Sequence, residues 1–335
     1  MRAASLVGPG RIEMEDVSHP DVAEGEVLVG IRTLGVCGTD RKIYSGAIPV
    51  SYPRIMGHEI VGEVLADAEG FVTGTRVIID PSIACGRCER CMEGRGNLCA
   101  DGWLLGRDRD GGMREAISAP ATNLHRLPEV VSDDVAPLIQ VLTTCVHGQR
   151  MIDIFPGESV VIVGLGVTGL LHLQLAKLRG AWPLVCVTRS ERKLELAREL
   201  GADVTVRSSE GALEQVQEAT GGGAAVTIEC AGKVATLAQA VTIARPGGRI
   251  LAYGTIAESG GAFPFYDLYY KELSIANARA ARPEDFPVAI ESVASERVRL
   301  DPLVTHRFAL SEAAAAFEAD ESQALKVILD VWGQG

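Results

Sequence analysis

Strand-length apolar runs alternate with helical patterns through the second half of the chain. The run Ser159–Val163 is almost entirely apolar, which is typical of a strand buried on both faces of a parallel sheet, and Leu170–Leu178 follows it with a helical pattern. Five more strand-length runs come later: Leu184–Ser190, Ala202–Val206, Ala225–Gly232, Gly248–Gly254 and Leu273–Asn277. This alternation predicts a doubly wound parallel sheet of the α/β class.

The first 150 residues have a different pattern. Strand candidates such as Glu26–Thr33, Ile60–Leu65 and Thr75–Ile79 are rich in branched apolar residues, and no long helix accompanies them. Together with interspersed glycines, they predict a compact, barrel-like β domain. Beyond the last predicted strand, Asp285–Ser295 and Ser311–Phe317 predict two further helices.

Length and charge narrow the functional classes. A chain of 335 residues with 47% hydrophobic residues has enough apolar material for two buried cores, so we predict two domains. The net charge of −12 argues against a nucleic-acid surface, because polyanions would be repelled. The sequence shows neither an export signal nor an apolar run of about 18 residues, so we expect a cytoplasmic protein without a membrane span.

Four of the eight cysteines lie in one short window with close spacing: Cys85, Cys88, Cys91 and Cys99. Two-residue gaps between thiols bring the sulfurs close enough to chelate one ion, and a fourth thiolate closes a tetrahedral zinc site. A disulfide framework is disfavoured, because such frameworks belong mostly to small secreted domains. A nucleic-acid-binding zinc ribbon is disfavoured by the acidic charge. The window therefore predicts a structural zinc site.

A second group of metal-ligand types lies upstream. Cys37 and the pair His58-Glu59 place a thiol, an imidazole and a carboxylate about twenty residues apart. Zinc accepts all three donor types. For either Cys37 or His58 alone, a buried core residue is the simpler interpretation.

The glycine run Gly164-Leu165-Gly166-Val167-Thr168-Gly169 stands between a predicted strand and a predicted helix. In that position it predicts a dinucleotide-binding turn, in which Gly164 forms the tight turn, Gly166 admits the pyrophosphate and Gly169 lets helix pack on strand. Val167 and Thr168 then begin the helix whose N-terminus faces the pyrophosphate.

Cofactor choice depends on the end of the next strand, about twenty residues beyond the last glycine. An NAD enzyme usually has a carboxylate there for the ribose hydroxyls, whereas this chain has Thr188. Hydroxyl and basic side chains able to bind a 2′-phosphate follow it: Arg189, Ser190, Arg192 and Lys193. We predict NADP over NAD; the alternative is that these residues are only the solvated start of a helix.

Four features, in order along the chain, resemble the medium-chain zinc-dependent alcohol and polyol dehydrogenases: Cys37-Gly38-Thr39-Asp40, Gly57-His58-Glu59, the cysteine window and the glycine run. The resemblance covers nearly the whole chain. It implies a GroES-like β-rich catalytic domain over residues 1–147, with a structural-zinc lobe at about residues 84–100. A Rossmann NADP-binding domain would follow over residues 148–283, and residues 284–335 would return to the catalytic domain. It also implies a homo-oligomer, either a dimer or a tetramer.

The resemblance assigns roles to the residues of the Cys37–Asp40 and His58-Glu59 motifs. Cys37 and His58 would be zinc ligands, and Asp40 would orient the imidazole ring. Thr39 would accept the proton of the substrate hydroxyl. Glu59 would be a ligand, or would lie just behind the metal.

Two further roles fall on one later segment. Gln140 matches the position of the family's third zinc ligand, which is more often a cysteine or glutamate, so this chain departs from the commoner pattern. Thr144 falls where the family packs a side chain against the nicotinamide ring.

The function implied is reversible hydride transfer between NADP and a secondary alcohol of polyol or sugar type, with one catalytic and one structural zinc. A threonine-dehydrogenase-like enzyme is an alternative, although such enzymes generally have a histidine where this chain has Lys42. A non-enzymatic NADP-binding protein also stays open, because Gln140 would leave the zinc site less compensated. A zinc-free quinone reductase is disfavoured, since such proteins lack both thiol sets.

Overall fold

The computed structural model describes residues 1–320 and 323–332 and divides the chain into two compact units. The first contains residues 1–143, 280–295 and 300–335, and the second contains residues 144–279 and 296–299. The divisions at 143/144 and 279/280 lie four residues before the expected bounds at 147/148 and 283/284.

The first unit is rich in β-structure. Its strands are β1 Arg2–Gly8, β2 Arg11–Asp16, β3 Glu26–Val36, β4 Arg54–Ile55, β5 Glu59–Val64, β6 Arg76–Ile79, β7 Ser82–Ile83, β8 Trp103–Leu104, β9 Ala116–Pro120, β10 Leu124–Arg126, β17 Val304–Ala309 and β18 Lys326–Asp330. Its main sheet has the order β10-β6-β5-β3-β18-β17, with β9 also on β3, while β2-β1-β4 and β7-β8 form smaller sheets. The C-terminal strand β18 therefore lies beside β3, antiparallel to it.

Helices of the first unit are short: α1 Gly38–Tyr44, α2 Glu89–Met92, α9 Asp285–Ala294 and α10 Ala313–Glu318. Helix α3, Leu138–Arg150, begins in this unit and ends in the second. One core joins alternate residues of the N-terminal strands to the C-terminal return, with Ile31, Ile60 and Leu329 all fully buried. Alternation places these side chains on the inner face of the sheet.

The second unit contains a six-stranded sheet in the order β13-β12-β11-β14-β15-β16, and every neighbouring pair is parallel. The prediction of a doubly wound parallel sheet is confirmed. Its strands are β11 Val160–Val163, β12 Leu184–Thr188, β13 Val204–Arg207, β14 Ala224–Glu229, β15 Ala244–Ala252 and β16 Ser274–Asn277. The strand order reverses between β11 and β14. Sheets of this kind bind ligands at that point, beyond the carboxyl ends of the strands.

Helices connect these strands: α4 Val167–Leu178, α5 Glu191–Glu199, α6 Ala212–Thr220, α7 Val234–Ile243 and α8 Phe265–Tyr270. Strand β11 is fully buried, because helices cover both faces of a parallel sheet. Within the described residues, no helix is long and apolar enough to cross a membrane.

Candidate metal and cofactor sites

The four clustered cysteines meet around one point. The sulfur of Cys88 lies 3.5 Å from that of Cys91 and 3.7 Å from that of Cys99, and the sulfurs of Cys85 and Cys91 are 4.0 Å apart. Zinc–sulfur bonds of about 2.3 Å place the sulfurs of a tetrahedron about 3.8 Å apart. Helix α2 carries Cys91, and the peptide N–H groups of Cys85 and Cys88 point at sulfurs of the same group. The four thiols fit a closed zinc site.

The pKa values of two of these thiols shift in opposite directions. The Cys91 backbone N–H donates a hydrogen bond to the Cys88 sulfur. Together with hydrogen bonding to the neighbouring sulfurs, it lowers the pKa of Cys88 to about 6, although desolvation opposes this shift. Desolvation and hydrogen bonding with the Cys88 and Cys99 sulfurs raise the pKa of Cys91 to about 12. A divalent cation would displace the protons that the group otherwise keeps, so binding should release protons.

Cys37, His58 and Glu59 form a second cluster, in which one ligand atom from each residue lies within 4.8 Å of the others. Cys37 lies between the end of β3 and the start of α1, whereas Glu59 begins β5, the antiparallel neighbour of β3. Gly57 has φ +92°, a conformation that glycine adopts without strain, and it turns the chain into β5. Strand pairing thus joins two motifs that are twenty residues apart.

Asp40 fixes the imidazole. It is fully buried, and its carboxylate accepts hydrogen bonds from the backbone N–H of Cys37 at 2.9 Å and of Gly57 at 3.3 Å. The His58 Nδ1 lies 3.1 Å from Asp40 Oδ1, which leaves Nε2 as the nitrogen available to a metal. Burial opposes ionisation of Asp40, but His58, the Cys37 N–H and Lys326 together lower its pKa.

The same partners act on the histidine. Burial disfavours a charged ring, yet the attraction of Asp40 and Cys37 outweighs it and raises the pKa of His58 well above its ordinary value. The surroundings of His58 therefore favour a positive charge on its ring. A zinc ion at Nε2 would take the place of a proton there.

Lys326 is a residue that sequence reasoning missed. Its ammonium group donates to both carboxylate oxygens of Glu59, at 2.7 and 2.8 Å, and to the carbonyl oxygen of Val36 at 3.1 Å. Lys326 is 4% exposed and Glu59 is fully buried. A Cβ on Gly35 would lie 1.9 Å from Glu59 Oε2, so glycine is required at the paired position on β3. An internal lysine near the C-terminus was the available signal, but nothing local indicates its partner.

The two remaining residues predicted for this group, Thr39 and Gln140, lie in the first turns of two helices. Thr39 lies half-buried in the first turn of α1. Gln140 lies in the first turn of α3 and is 9% exposed. Its role as a metal ligand stays a prediction.

The glycine run forms the turn between β11 and α4. Gly164 has φ +94°, and a Cβ at Gly169 would lie 2.0 Å from the Gly164 carbonyl oxygen, so any larger residue there would force the helix from the strand. A Cβ at Gly166 would meet nothing within 4 Å. Val167 and Thr168 begin α4 after Gly166. An open space at a helix N-terminus fits a dinucleotide pyrophosphate.

Thr144 is held by a residue that the sequence did not indicate. Its hydroxyl lies 2.6 Å from that of Tyr253, which follows β15 and also lies 3.5 Å from the Cys145 sulfur. The ring of Tyr253 meets His172 edge-on, with centroids 4.4 Å apart. This contact orients the Thr144 side chain.

The predicted 2′-phosphate residues surround the end of β12. Thr188 is the last residue of that strand, Arg189 is exposed, and Ser190 directly precedes α5. Arg192 and Lys193 lie in the first turn of α5, where desolvation and the neighbouring Arg192 lower the pKa of Lys193. The cluster is basic; Arg189 and Arg192 are exposed and Lys193 is half-buried.

Two family models match the chain. One is described as an alcohol dehydrogenase GroES-like domain and matches residues 23–129; the other is described as a zinc-binding dehydrogenase and matches residues 167–295. A sorbitol dehydrogenase of Halalkalibacterium halodurans is 32% identical over 330 residues, covering 96% of each chain. The chain belongs to the zinc-dependent medium-chain alcohol dehydrogenases.

Other members of this dehydrogenase family are similar over the whole length. An L-threonine 3-dehydrogenase of Vibrio parahaemolyticus is 32% identical over 98% of this chain and 99% of its own. An alcohol dehydrogenase of Escherichia coli CFT073, solved with NADH, has a TM-score of 0.92 at 31% identity over 99% of both chains. A protein of Sinorhizobium meliloti 1021, solved with NADP, has the same TM-score and identity over 98% of this chain and 99% of its own.

Family membership confirms two predictions. The chain has the fold predicted for zinc-dependent alcohol dehydrogenases, a GroES-like domain with a Rossmann-type parallel sheet. It is an NAD(P)-dependent oxidoreductase of the alcohol and polyol dehydrogenase class. The residue roles, the zinc count and the expected cytoplasmic location stay predictions.

Proposed function

We propose that this dehydrogenase transfers hydride reversibly between NADP and a secondary alcohol of polyol or sugar type. The observation that carries this proposal is the cluster of Cys37, His58 and Glu59, with the His58 ring fixed by Asp40. Zinc bound there would supply a Lewis acid that favours loss of the substrate's hydroxyl proton, while the nicotinamide cofactor takes the hydride.

The chain's own residues divide the remaining work. Cys37 Sγ and His58 Nε2 would hold the ion, and Thr39 Oγ1 would accept the substrate's proton while passing its own outward to solvent. Because Lys326 pairs with Glu59, this carboxylate would not serve as a ligand. Neutral Gln140 would be the third protein ligand, and a shell with the single negative charge of Cys37 would leave zinc a strong Lewis acid.

Two zinc ions per chain follow from this proposal. Elemental analysis of protein purified without chelator should give two, and one for Cys37→Ser. Cys91→Ser should lower stability more than it changes turnover per correctly folded molecule, because a structural site contributes to folding. A stable but inactive Cys91→Ser variant would show that the two sites have been interchanged.

Cofactor preference rests on the absence of a carboxylate at Thr188 and on the exposed Arg189. Arg189→Ala should weaken NADP by about 1.5–3 kcal/mol and leave NAD nearly unchanged. Arg198→Ala is the matched control. The Arg198 guanidinium pairs with Glu191 at 3.3 Å, and both residues lie on α5. Equal losses for both cofactors would remove Arg189 from the phosphate site.

An amino-alcohol substrate is the second candidate, favoured by the L-threonine 3-dehydrogenase relative. A panel of polyols, sugar acids, simple secondary alcohols and L-threonine, with NADP reduction followed at 340 nm, separates the two. Turnover confined to L-threonine would overturn the polyol assignment. No turnover by zinc-loaded protein would favour a non-enzymatic member.

We also propose a homo-oligomer. In the described chain the edge strand β16 pairs only with β15, and the adjacent helix α8 exposes four aromatic rings to solvent by 71–82%: Phe265, Tyr266, Tyr269 and Tyr270. An apolar patch beside an unpaired edge fits a second copy of this chain. Light scattering should give a dimer or tetramer, and Tyr269→Glu should dissociate it; a monomeric wild type would overturn this proposal.

A further inference from the structure

The parallel register of the second unit brings another basic residue to the candidate 2′-phosphate site. Strand β13 pairs with β12 so that Arg207 lies directly beside Thr188. The Ser208 N–H donates to the Thr188 carbonyl oxygen at 2.9 Å, which extends the pairing beyond the last ladder residue. Neighbouring strands lie about 4.8 Å apart, so Arg207 starts one strand spacing from the position that decides cofactor choice.

The charges at these two strand ends are uncompensated. Both Arg189 and Arg207 are exposed, and within residues 1–320 and 323–332 neither guanidinium makes an ion pair or hydrogen bond. Of the nearby carboxylates, Glu191 pairs with Arg198, and Asp203 accepts from the Leu184 N–H at the opposite, amino end of the strands. Glu210 is exposed three residues beyond Arg207.

We propose that Arg207 is a specificity-determining residue, whose guanidinium binds the 2′-phosphate of NADP from β13 while Arg189 binds it from β12. This inference rests on the proposed NADP preference. Two guanidinium groups on adjacent strand ends offer two positive charges to one dianionic group, and a guanidinium can give two parallel hydrogen bonds to phosphate oxygens. The ribose hydroxyl of NAD carries no charge for them to bind.

The proposal predicts a selective loss. Arg207→Ala should weaken binding of NADP and of adenosine 2′-monophosphate about ten- to hundredfold. Binding of NAD and of adenosine 5′-monophosphate should change less than twofold. Arg207→Lys should retain part of the preference, because the charge stays while the paired hydrogen bonds are lost.

The test is equilibrium titration calorimetry of the zinc-loaded full chain with these four nucleotides. Arg198→Ala serves as the control for loss of a surface guanidinium, and circular dichroism checks that each variant is folded. If NAD and NADP weaken together in Arg207→Ala, the residue contacts the adenine or supports the sheet, and the inference is overturned. Unchanged NADP binding by that variant overturns it as well.

Wild-type binding separates this inference from the proposed function. A wild type that prefers NADP, with an Arg207→Ala variant that keeps the preference, removes only Arg207 from the site. A wild type that binds NAD as well as NADP overturns both proposals.

Discussion

Replacement of Lys326 by methionine is the sharpest test of the cluster of Cys37, His58 and Glu59. Methionine keeps the length of the side chain but removes the ammonium group, which leaves the fully buried Glu59 carboxylate without its counter-ion and the Val36 carbonyl without this donor. Removing one partner of a buried ion pair costs about 3–5 kcal/mol, because the remaining charge is neither solvated nor paired. We expect a loss of stability in that range.

A double-mutant cycle separates the charge from the packing. Glu59→Gln in the Lys326→Met background removes the stranded charge, so the double variant should be more stable than Lys326→Met alone by about 2–4 kcal/mol. The exposed Lys42→Met on α1 is the control and should change stability by less than about 0.5 kcal/mol.

Urea unfolding of metal-free protein measures the cycle, and a lower midpoint at an unchanged slope reports stability itself. In the zinc-loaded protein, a carboxylate freed from Lys326 can reach the ion, and zinc should resist chelators better in Lys326→Met. A loss below about 1 kcal/mol, or a double variant no more stable than the single, would refute the reasoning.

Variants at three further positions test other parts of the structure. Burial raises the pKa of Asp80 to about 7, so between about pH 4 and pH 7 the folded chain keeps a proton that the unfolded chain loses. The free energy of unfolding should therefore fall by up to about 1.4 kcal/mol per pH unit as the pH rises through this range. Asp80→Asn should flatten that slope in urea titrations. Gly169→Ala places a methyl group 2.0 Å from the Gly164 carbonyl oxygen and should weaken NADP more than tenfold by calorimetry. Gln140→Glu should hold zinc more tightly and shift the alkaline rise of the pH–rate profile upward, whereas Gln140→Ala should lose zinc to a mild chelator; no change in either would place the third ligand elsewhere.

Features that are local in the chain were predictable from the sequence. The cysteine window, the glycine run and the apolar strands depend on spacings of a few residues, because a turn or one short strand sets the distances between their side chains. The resemblance could likewise order the domains, since it rests on runs of this kind. Even the departure at Gln140 was visible before the structure.

Contacts between distant segments were decided only by the tertiary structure. Lys326 and Glu59 are 267 residues apart, and they meet because β18 inserts beside β3 and Gly35 leaves room for the carboxylate. Thr144 on α3 and Tyr253, just beyond β15, likewise meet across 109 residues. Sheet order and register select these partners, and a shift of one residue would turn Lys326 to the other face of the sheet. The hydrophobic pattern of a strand indicates that it pairs, but it does not indicate which polar side chain the neighbouring strand presents. Here that side chain is Lys326, which sets the charge around the candidate metal site.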